Sequence, residues 1–241
     1  MIEREEPNDH VCKITALGTR LLFTQSGIAG NTNTKGGSNN WMGSTEAFRA
    51  FTHFQNSKAN MDAVDQVSAD WTKTMKAIYS RMLKLDRESG VSPYGLEDVL
   101  TRSVFIGLDP HGQVKVREID ISFDRGTFEK SGIVIISASN QLWDIASQMQ
   151  YKAIGHIKIS DEFANATSSR AMLDANYWKS EMNKPGSEEL YAAHLVEVTE
   201  DYAPRDWGIG GAIDVVEMLP NEGVHWIRRK PDCPSDGVSR P

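Results

Sequence analysis

The stretch that decides the predicted fold is Arg205-Asp206-Trp207-Gly208-Ile209-Gly210-Gly211-Ala212-Ile213-Asp214-Val215-Val216-Glu217-Met218. Its Gly-Gly step opens a β-branched run, and glycine permits the positive φ angles and close backbone approach found at strand entrances. Apolar residues alternate onto both faces of that run, Ile213 and Val215 on one and Val216 and Met218 on the other. A strand that is apolar on both faces is covered on both faces. The stretch therefore predicts a buried strand with further layers above and below it.

Turn residues place two hairpins and one further strand. Pro220-Asn221-Glu222-Gly223 predicts a hairpin loop leading into a second strand, Val224 to Ile227. Asp109-Pro110-His111-Gly112 predicts another hairpin, because Pro and Gly lie between two strand-like runs. The run from Gly132 to Ser137 predicts a strand buried on both faces, which continues through Ser139-Asn140 into a helix bearing Leu142.

Helical periodicity is clearest in the first half of the chain. Ser44 or Thr45 is a candidate cap for a helix with Phe48, Phe51 and Phe54 on one side. The next helix ends at Gly90, and its apolar residues recur at intervals of three and four. These residues are Met61, Val64, Val67, Trp71, Met75, Ile78, Met82 and Leu85. A Met and aromatic stripe of this kind indicates core packing against a sheet.

Charge and hydropathy exclude several classes of partner. The 241 residues carry a formal net charge of -7, which argues against nucleic acid and anionic membranes as partners. No apolar run approaches the roughly 20 residues needed to span a bilayer. The N-terminus is charged from Glu3 onward, unlike a signal peptide. The chain as written is therefore predicted to be cytoplasmic, and a start site further upstream would leave export open.

The sequence predicts neither a metal site nor a cofactor. The six histidines lack ligand spacing, and His194 is interpreted as a histidine at the edge of the core. Cys12 and Cys233 lie near opposite ends of the chain, and both a disulfide and two free thiols remain open. The Gly36-Gly37 loop contains Lys35 but lacks the phosphate-binding order of a P-loop. We interpret it as a surface loop, with a ligand-binding module as the alternative.

The order of elements predicts an α+β fold. Strands, two helices, strands, two or three helices and strands follow one another, and no linker divides them. Grouped strands that are apolar on both sides fit two antiparallel sheets flanked by helices. A four-layer αββα sandwich is one of the architectures that satisfy this pattern. The prediction is a single domain over residues 1–230, followed by a flexible tail at 231–241.

Several short motifs resemble one known family. Asp9-His10-Val11-Cys12-Lys13-Ile14 and the following Leu21 to Gly27 resemble the third and fourth strands of proteasome β-type subunits and their bacterial relatives. Arg205 to Ala212 resembles the Arg-Asp-x-x-Ser-Gly-Gly corner of that family, whose hairpin also matches the turn at Asp109. The resemblance implies the N-terminal nucleophile hydrolase fold, which is an αββα sandwich.

The resemblance also implies a catalytic site. In that family a Thr, Ser or Cys at residue one attacks the amide, its own α-amine serves as base, and a lysine lowers its pKa. Lys13 matches this lysine, and Asp206 matches the aspartate that orients the amine. Ile209 stands where the family has a serine, and an alkyl group cannot make that hydrogen bond. Around Ala138 the family has Gly-Ser-Gly, so the flanking hydroxyls of Ser137 and Ser139 are candidate supporting groups.

The resemblance starts after the two strands that carry the nucleophile in that family. We expect either that the recorded start is too late or that the protein is a non-hydrolytic relative. The first interpretation predicts a hydrolase of a peptide or small amide, and the second predicts a scaffold or assembly protein. Family members form rings, so a homo-oligomer is also implied.

Overall fold

The structure is a computed structural model, and it describes residues 14–27, 30–31, 41–57, 62–88, 98–143, 162–181, 184, 187–202 and 214–229. The chain divides into two compact units. Among the described residues, the larger unit comprises those within Ile14–Gln148 and Met218–Val224. The smaller comprises those within Met149–Glu217 and His225–Cys233. The single domain over 1–230 stays a prediction, and the tail at 231–241 lies outside the described residues.

The larger unit is built on a five-stranded antiparallel sheet of order β1-β2-β5-β6-β7. Its strands are β1 (Ile14–Ala16), β2 (Leu21–Gly27), β5 (Val99–Leu108), β6 (Val114–Phe123) and β7 (Ile136–Leu142). Two short strands, β3 (Gly30–Asn31) and β4 (Trp41–Met42), pair separately. The helices of this unit are α1 (Gly43–Asn56), α2 (Ala63–Glu88) and α3 (Arg125–Ser131). The α+β class that the sequence predicts is therefore confirmed.

The core lies between one face of this sheet and the helices α1 and α2. Phe23 and Phe105 are cross-strand partners, and both rings contact the fully buried Trp71 of α2, with ring centroids 5.4 and 5.6 Å away. Other buried members of this core include Leu21, Ala47, Val64, Val67, Met75, Tyr79, Leu83, Ile119, Ile121 and Phe123. The periodicity of α2 predicted this packing, except that Tyr79 and Leu83 are fully buried while the predicted Ile78 and Met82 are half-buried and Leu85 is 39% exposed.

The opposite face of the sheet also carries buried apolar side chains. Leu22, Val104 and Val116 alternate with the core-facing residues of their strands and are 2%, 4% and 6% exposed. Side chains of one strand alternate between its faces, so these residues lie on the side away from α1 and α2. The sheet is therefore buried on both faces along its central strands.

Three local predictions were wrong. No side-chain hydrogen bond caps α1, whose N-cap residue is Met42 rather than Ser44 or Thr45. The predicted buried strand from Gly132 to Ser137 instead begins at Ile136, and Ile133 and Ile135 are 57% and 46% exposed. Strand β7 is last in the sheet order and is strand rather than helix as far as Leu142. An apolar run alone does not distinguish a central strand from an edge.

Both predicted hairpins are confirmed. Strands β5 and β6 are joined by a turn in which Asp109 Oδ1 accepts hydrogen bonds from the backbone N–H groups of His111 and Gln113. Strands β8 (Val215–Leu219) and β9 (Gly223–Arg228) form a two-stranded sheet. Only Val215 of β8 is buried, so the prediction that this strand is covered on both faces was wrong. Gly223 has a φ of 101° there, and a Cβ would lie 2.2 Å from the Thr19 carbonyl oxygen. Only glycine fits that position without strain.

The smaller unit contains α4 (Ser169–Glu181) and α5 (Ser187–Tyr202). Its core cluster consists of Phe163, Ala171, Leu195 and Val198. The Arg170 guanidinium lies 4.2 Å from the centroid of the Tyr202 ring and donates two hydrogen bonds to the Glu162 carboxylate. These contacts link the segment before α4 to the end of α5.

Ion pairs connect α2 to β6 beside the core. Lys115 Nζ lies 3.0 Å from Asp62 and 2.6 Å from Asp65, and the Arg117 guanidinium also binds Asp65. Burial raises the pKa of Asp65, but the hydrogen bonds and charges of Lys115 and Arg117 outweigh burial and hold the pKa below its ordinary 3.8. The ionised carboxylate is therefore the form that the folded protein favours.

We expect Asp65→Asn to lower the free energy of unfolding at neutral pH and to lose this effect in acid. A carboxyl group whose pKa is lower in the folded state stabilises the protein at pH values above its pKa in the unfolded state. This stabilisation disappears as the pH falls through the pKa of the folded state. Urea titrations of both proteins between about pH 2 and pH 7 measure the difference. The difference in the free energy of unfolding between the two proteins should become smaller below about pH 4. A difference that stays constant over this range would contradict the pKa direction.

Candidate functional site

Strand register assembles a row of polar residues on the sheet face opposite α1 and α2. Ser26, Arg102, Asp120 and Ser139 are successive cross-strand partners on β2, β5, β6 and β7. Directly opposed residues in antiparallel strands point to the same face. Glu118 precedes Asp120 by two residues and so joins the row on that face.

Arg102, Glu118, Asp120 and Trp143 form the Arg102 cluster. Arg102 Nε donates a hydrogen bond to Asp120 Oδ1 and Arg102 Nη2 donates one to Asp120 Oδ2, and each is 2.7 Å long. Arg102 Nε also lies 3.1 Å from Glu118 Oε1, and Trp143 Nε1 donates to Glu118 Oε2 at 2.9 Å. One guanidinium thus connects β5 to two carboxylates of β6, and Trp143 extends the cluster beyond β7.

The cluster is largely removed from solvent. The side chains of Arg102, Asp120 and Glu118 are 31%, 19% and 6% exposed. Hydrogen bonding to Asp120 raises the pKa of Arg102, against the lowering effect of burial. Since a bidentate guanidinium occupies both oxygens of Asp120, this carboxylate is not available as a free general base. The geometry suits an anchor that positions its neighbours.

Ser137 and Ser139, the candidate supporting hydroxyls, lie at the margin of this cluster. Both are exposed on β7, where Ser139 pairs with Asp120 and Ser137 pairs with Ser122. Neither hydroxyl makes a hydrogen bond to a described residue. A serine nucleophile needs an adjacent base to be activated. Within the described residues, these two hydroxyls therefore have no activated geometry.

The other two predicted site residues, Lys13 and Asp206, lie outside the described residues, as do Ile209, Cys12, Cys233 and the Gly36-Gly37 loop. The structure pairs Ser139 with Asp120, whose carboxylate binds Arg102, and no sequence motif predicts either of these two residues. Their only signal in the sequence is the Glu118-x-Asp120 alternation in a strand. That spacing places two carboxylates on one face but does not identify their partner.

A second polar cluster lies in the smaller unit around His194. His194 Nε2 lies 2.8 Å from Asp174 Oδ1, and the imidazole centroid lies 5.1 Å from the Trp178 ring and 6.4 Å from the Tyr191 ring. The His194 side chain is 21% exposed. Burial, followed by the charge of Asp174, raises the pKa of Tyr191. His194 packs among aromatic rings, in agreement with its interpretation as a core-edge histidine.

The described residues were also compared with the requirements of a metal site and of a membrane-spanning helix. No group of three or more His, Cys, Asp or Glu side chains there could hold a metal ion. No described helix is both long and apolar enough to cross a membrane.

Comparisons of the chain with models of protein families, with curated proteins and with solved structures found no match.

Proposed function

We propose that this chain is an amide hydrolase of the N-terminal nucleophile type with a four-layer αββα sandwich fold. The observation that carries the proposal is the sheet buried on both faces, with α1 and α2 on one side and Leu22, Val104 and Val116 on the other. A second antiparallel sheet against that other face would complete the sandwich. In the larger unit β1 to β4 precede α1 and α2, and β5, β6 and β7 follow with α3 between β6 and β7. This grouping of strands and helices also supports the proposal.

The proposed chemistry uses the α-amine of a mature N-terminal Thr, Ser or Cys. The amine accepts the proton of the nucleophile as its oxygen or sulfur attacks the carbonyl carbon of a peptide or small amide. The same proton then passes to the leaving amine, and water hydrolyses the acyl-enzyme. Lys13 would stabilise the developing negative charge, and Asp206 would orient the α-amine. Ser137 or Ser139 would support the site from β7.

Intact mass and N-terminal sequencing of the protein purified from its natural source test this proposal. We expect a mature chain that begins with Thr, Ser or Cys and cleaves fluorogenic amides. Lys13→Ala should then lower kcat by about 100-fold or more, because it removes charge stabilisation at the reacting group. Lys76→Ala, which removes a lysine from the middle of α2, is the matched control and should retain activity. A mature chain that begins at Met1 would overturn the mechanism.

A non-catalytic scaffold is the second candidate, and exposed apolar side chains in the smaller unit favour it. Leu173, Leu190, Tyr177 and Met172 are 74%, 60%, 56% and 55% exposed. Leu173 and Tyr177 lie four residues apart on α4 and so share one face of that helix, and exposed apolar surface is typical of protein interaction sites. A chain that begins at Met1 and forms a stable homo-oligomer at micromolar concentration would favour this function over hydrolysis.

A further inference from the structure

A groove with a volume of about 690 Å³ is lined by residues of α1 and α2. Small side chains create the space, because Ala50 on α1 and Thr74 and Ala77 on α2 reach only a short distance from their helices. Ile78 adds a half-buried apolar surface to its lining. The groove belongs entirely to the larger unit, and none of the residues discussed for hydrolysis lines it.

The two acidic residues of the groove already have partners. The Glu46 side chain is 8% exposed and accepts a hydrogen bond from Arg49. Asp70 accepts a hydrogen bond of 3.1 Å from Gln66 and lies 3.5 Å from His53 Nδ1. Neither carboxylate therefore needs a cation from a ligand.

Two cations of the groove have no partner among the residues that the structure describes. Lys73 and Arg81 are exposed and make no ion pair or hydrogen bond with any described residue. They lie eight residues apart on α2, which corresponds to about 12 Å along a helix axis. Arg49, Lys73 and Arg81 against Glu46 and Asp70 give the groove one net positive charge, in a chain whose net charge is -7.

We propose that this groove binds an extended acidic peptide segment with two carboxylates four residues apart and an apolar residue midway between them. Four residues of extended chain span about 13 Å, close to the separation of Lys73 and Arg81. Side chains two residues apart in an extended chain point to the same side. The apolar residue therefore meets Ala77 and Ile78 while each carboxylate reaches one cation. Charge complementarity and this spacing identify the ligand class.

Fluorescence anisotropy with a labelled seven-residue peptide tests the site on the full chain. The peptide has glutamate at its second and sixth positions, leucine at its fourth and serine elsewhere. We expect saturable binding that Lys73→Glu with Arg81→Glu weakens by about tenfold or more, since both ion pairs become repulsive. Lys76→Glu with Lys84→Glu is the matched control, because it makes the same charge change at the same spacing on α2 outside the groove. Circular dichroism establishes that both variants fold.

The site is supported if the Lys76→Glu, Lys84→Glu variant still binds the peptide and the Lys73→Glu, Arg81→Glu variant does not. Equal loss in both pairs would show attraction to net charge alone and would overturn it. The absence of saturable binding would do the same. A peptide with its two glutamates adjacent should bind more weakly, and equal affinity would contradict the proposed spacing. Competition by inorganic phosphate at lower concentration than the peptide would instead indicate a phosphate site. Because hydrolysis uses other residues, failure here would leave the proposed function standing.

Discussion

Replacing Trp71 with alanine is expected to lower the free energy of unfolding by about 3–5 kcal/mol, as for other large-to-small core substitutions. Trp71 is fully buried, and its ring contacts both Phe23 and Phe105. Its Nε1 also donates a hydrogen bond of 2.9 Å to the Gly43 carbonyl oxygen. Alanine would leave a cavity between the sheet and both helices, and it would remove the hydrogen bond that connects α2 to the start of α1.

Urea denaturation followed by circular dichroism measures this loss. Leu85→Ala is the matched control, because it truncates an apolar side chain of the same helix that is 39% exposed. The control should cost less than about 1 kcal/mol, since little area leaves the core. Trp71→Phe separates the two effects by retaining an aromatic ring without the donor. If Trp71→Ala costs no more than Leu85→Ala, the described packing of α2 is wrong.

Arg102→Met is expected to destabilise the protein by about 3 kcal/mol, near the lower end for a broken buried ion pair. Methionine removes the guanidinium that Glu118 and Asp120 share, while both carboxylates stay largely shielded from water. Because the Arg102 side chain is 31% exposed, water can reach its place in the variant and solvate the two carboxylates. This solvation offsets part of the destabilisation. Thermal and urea unfolding both measure the effect.

Two further variants test the cause of this destabilisation. Arg102→Met combined with Glu118→Gln and Asp120→Asn should recover much of the stability, because neutral side chains no longer bury uncompensated charge. Arg125→Met is the matched control, since Arg125 pairs with Asp98, whose side chain is 72% exposed. That surface pair should contribute less than about 1 kcal/mol. Equal losses of stability from Arg102→Met and Arg125→Met would show that the Arg102 cluster contributes no more than an ion pair on the surface.

Short-range signals predicted the parts of the fold that depend on neighbours in sequence. The three- and four-residue spacing of α2 predicts both the helix and its buried face, because helical geometry alone places Val64, Val67, Trp71 and Met75 on one side. Pro110 and Gly112 similarly predict the turn between β5 and β6. Strand β7 was predicted less well, because an apolar run does not reveal whether a strand has one neighbour or two.

The candidate sites depend on contacts between residues distant in sequence. Arg102 and Asp120 meet because the register of β5 and β6 opposes them, and a shift of one residue would move them to opposite faces. The groove lined by Arg49, Lys73 and Arg81 depends on how closely two helices pack. No sequence motif predicts either feature, because each of these residues is common in a strand or helix of this kind.

The sequence by itself determined the α+β class, the long amphipathic helix and the two hairpins, since periodicity and turn chemistry are properties of adjacent residues. Tertiary structure alone decided that Arg102 joins two carboxylates and that Ser139 pairs with one of them, Asp120, across the strands. It alone decided that Lys73 and Arg81 line a groove without an acidic partner among the described residues. These arrangements depend on strand register and helix packing, which are selected by the free energy of the whole core.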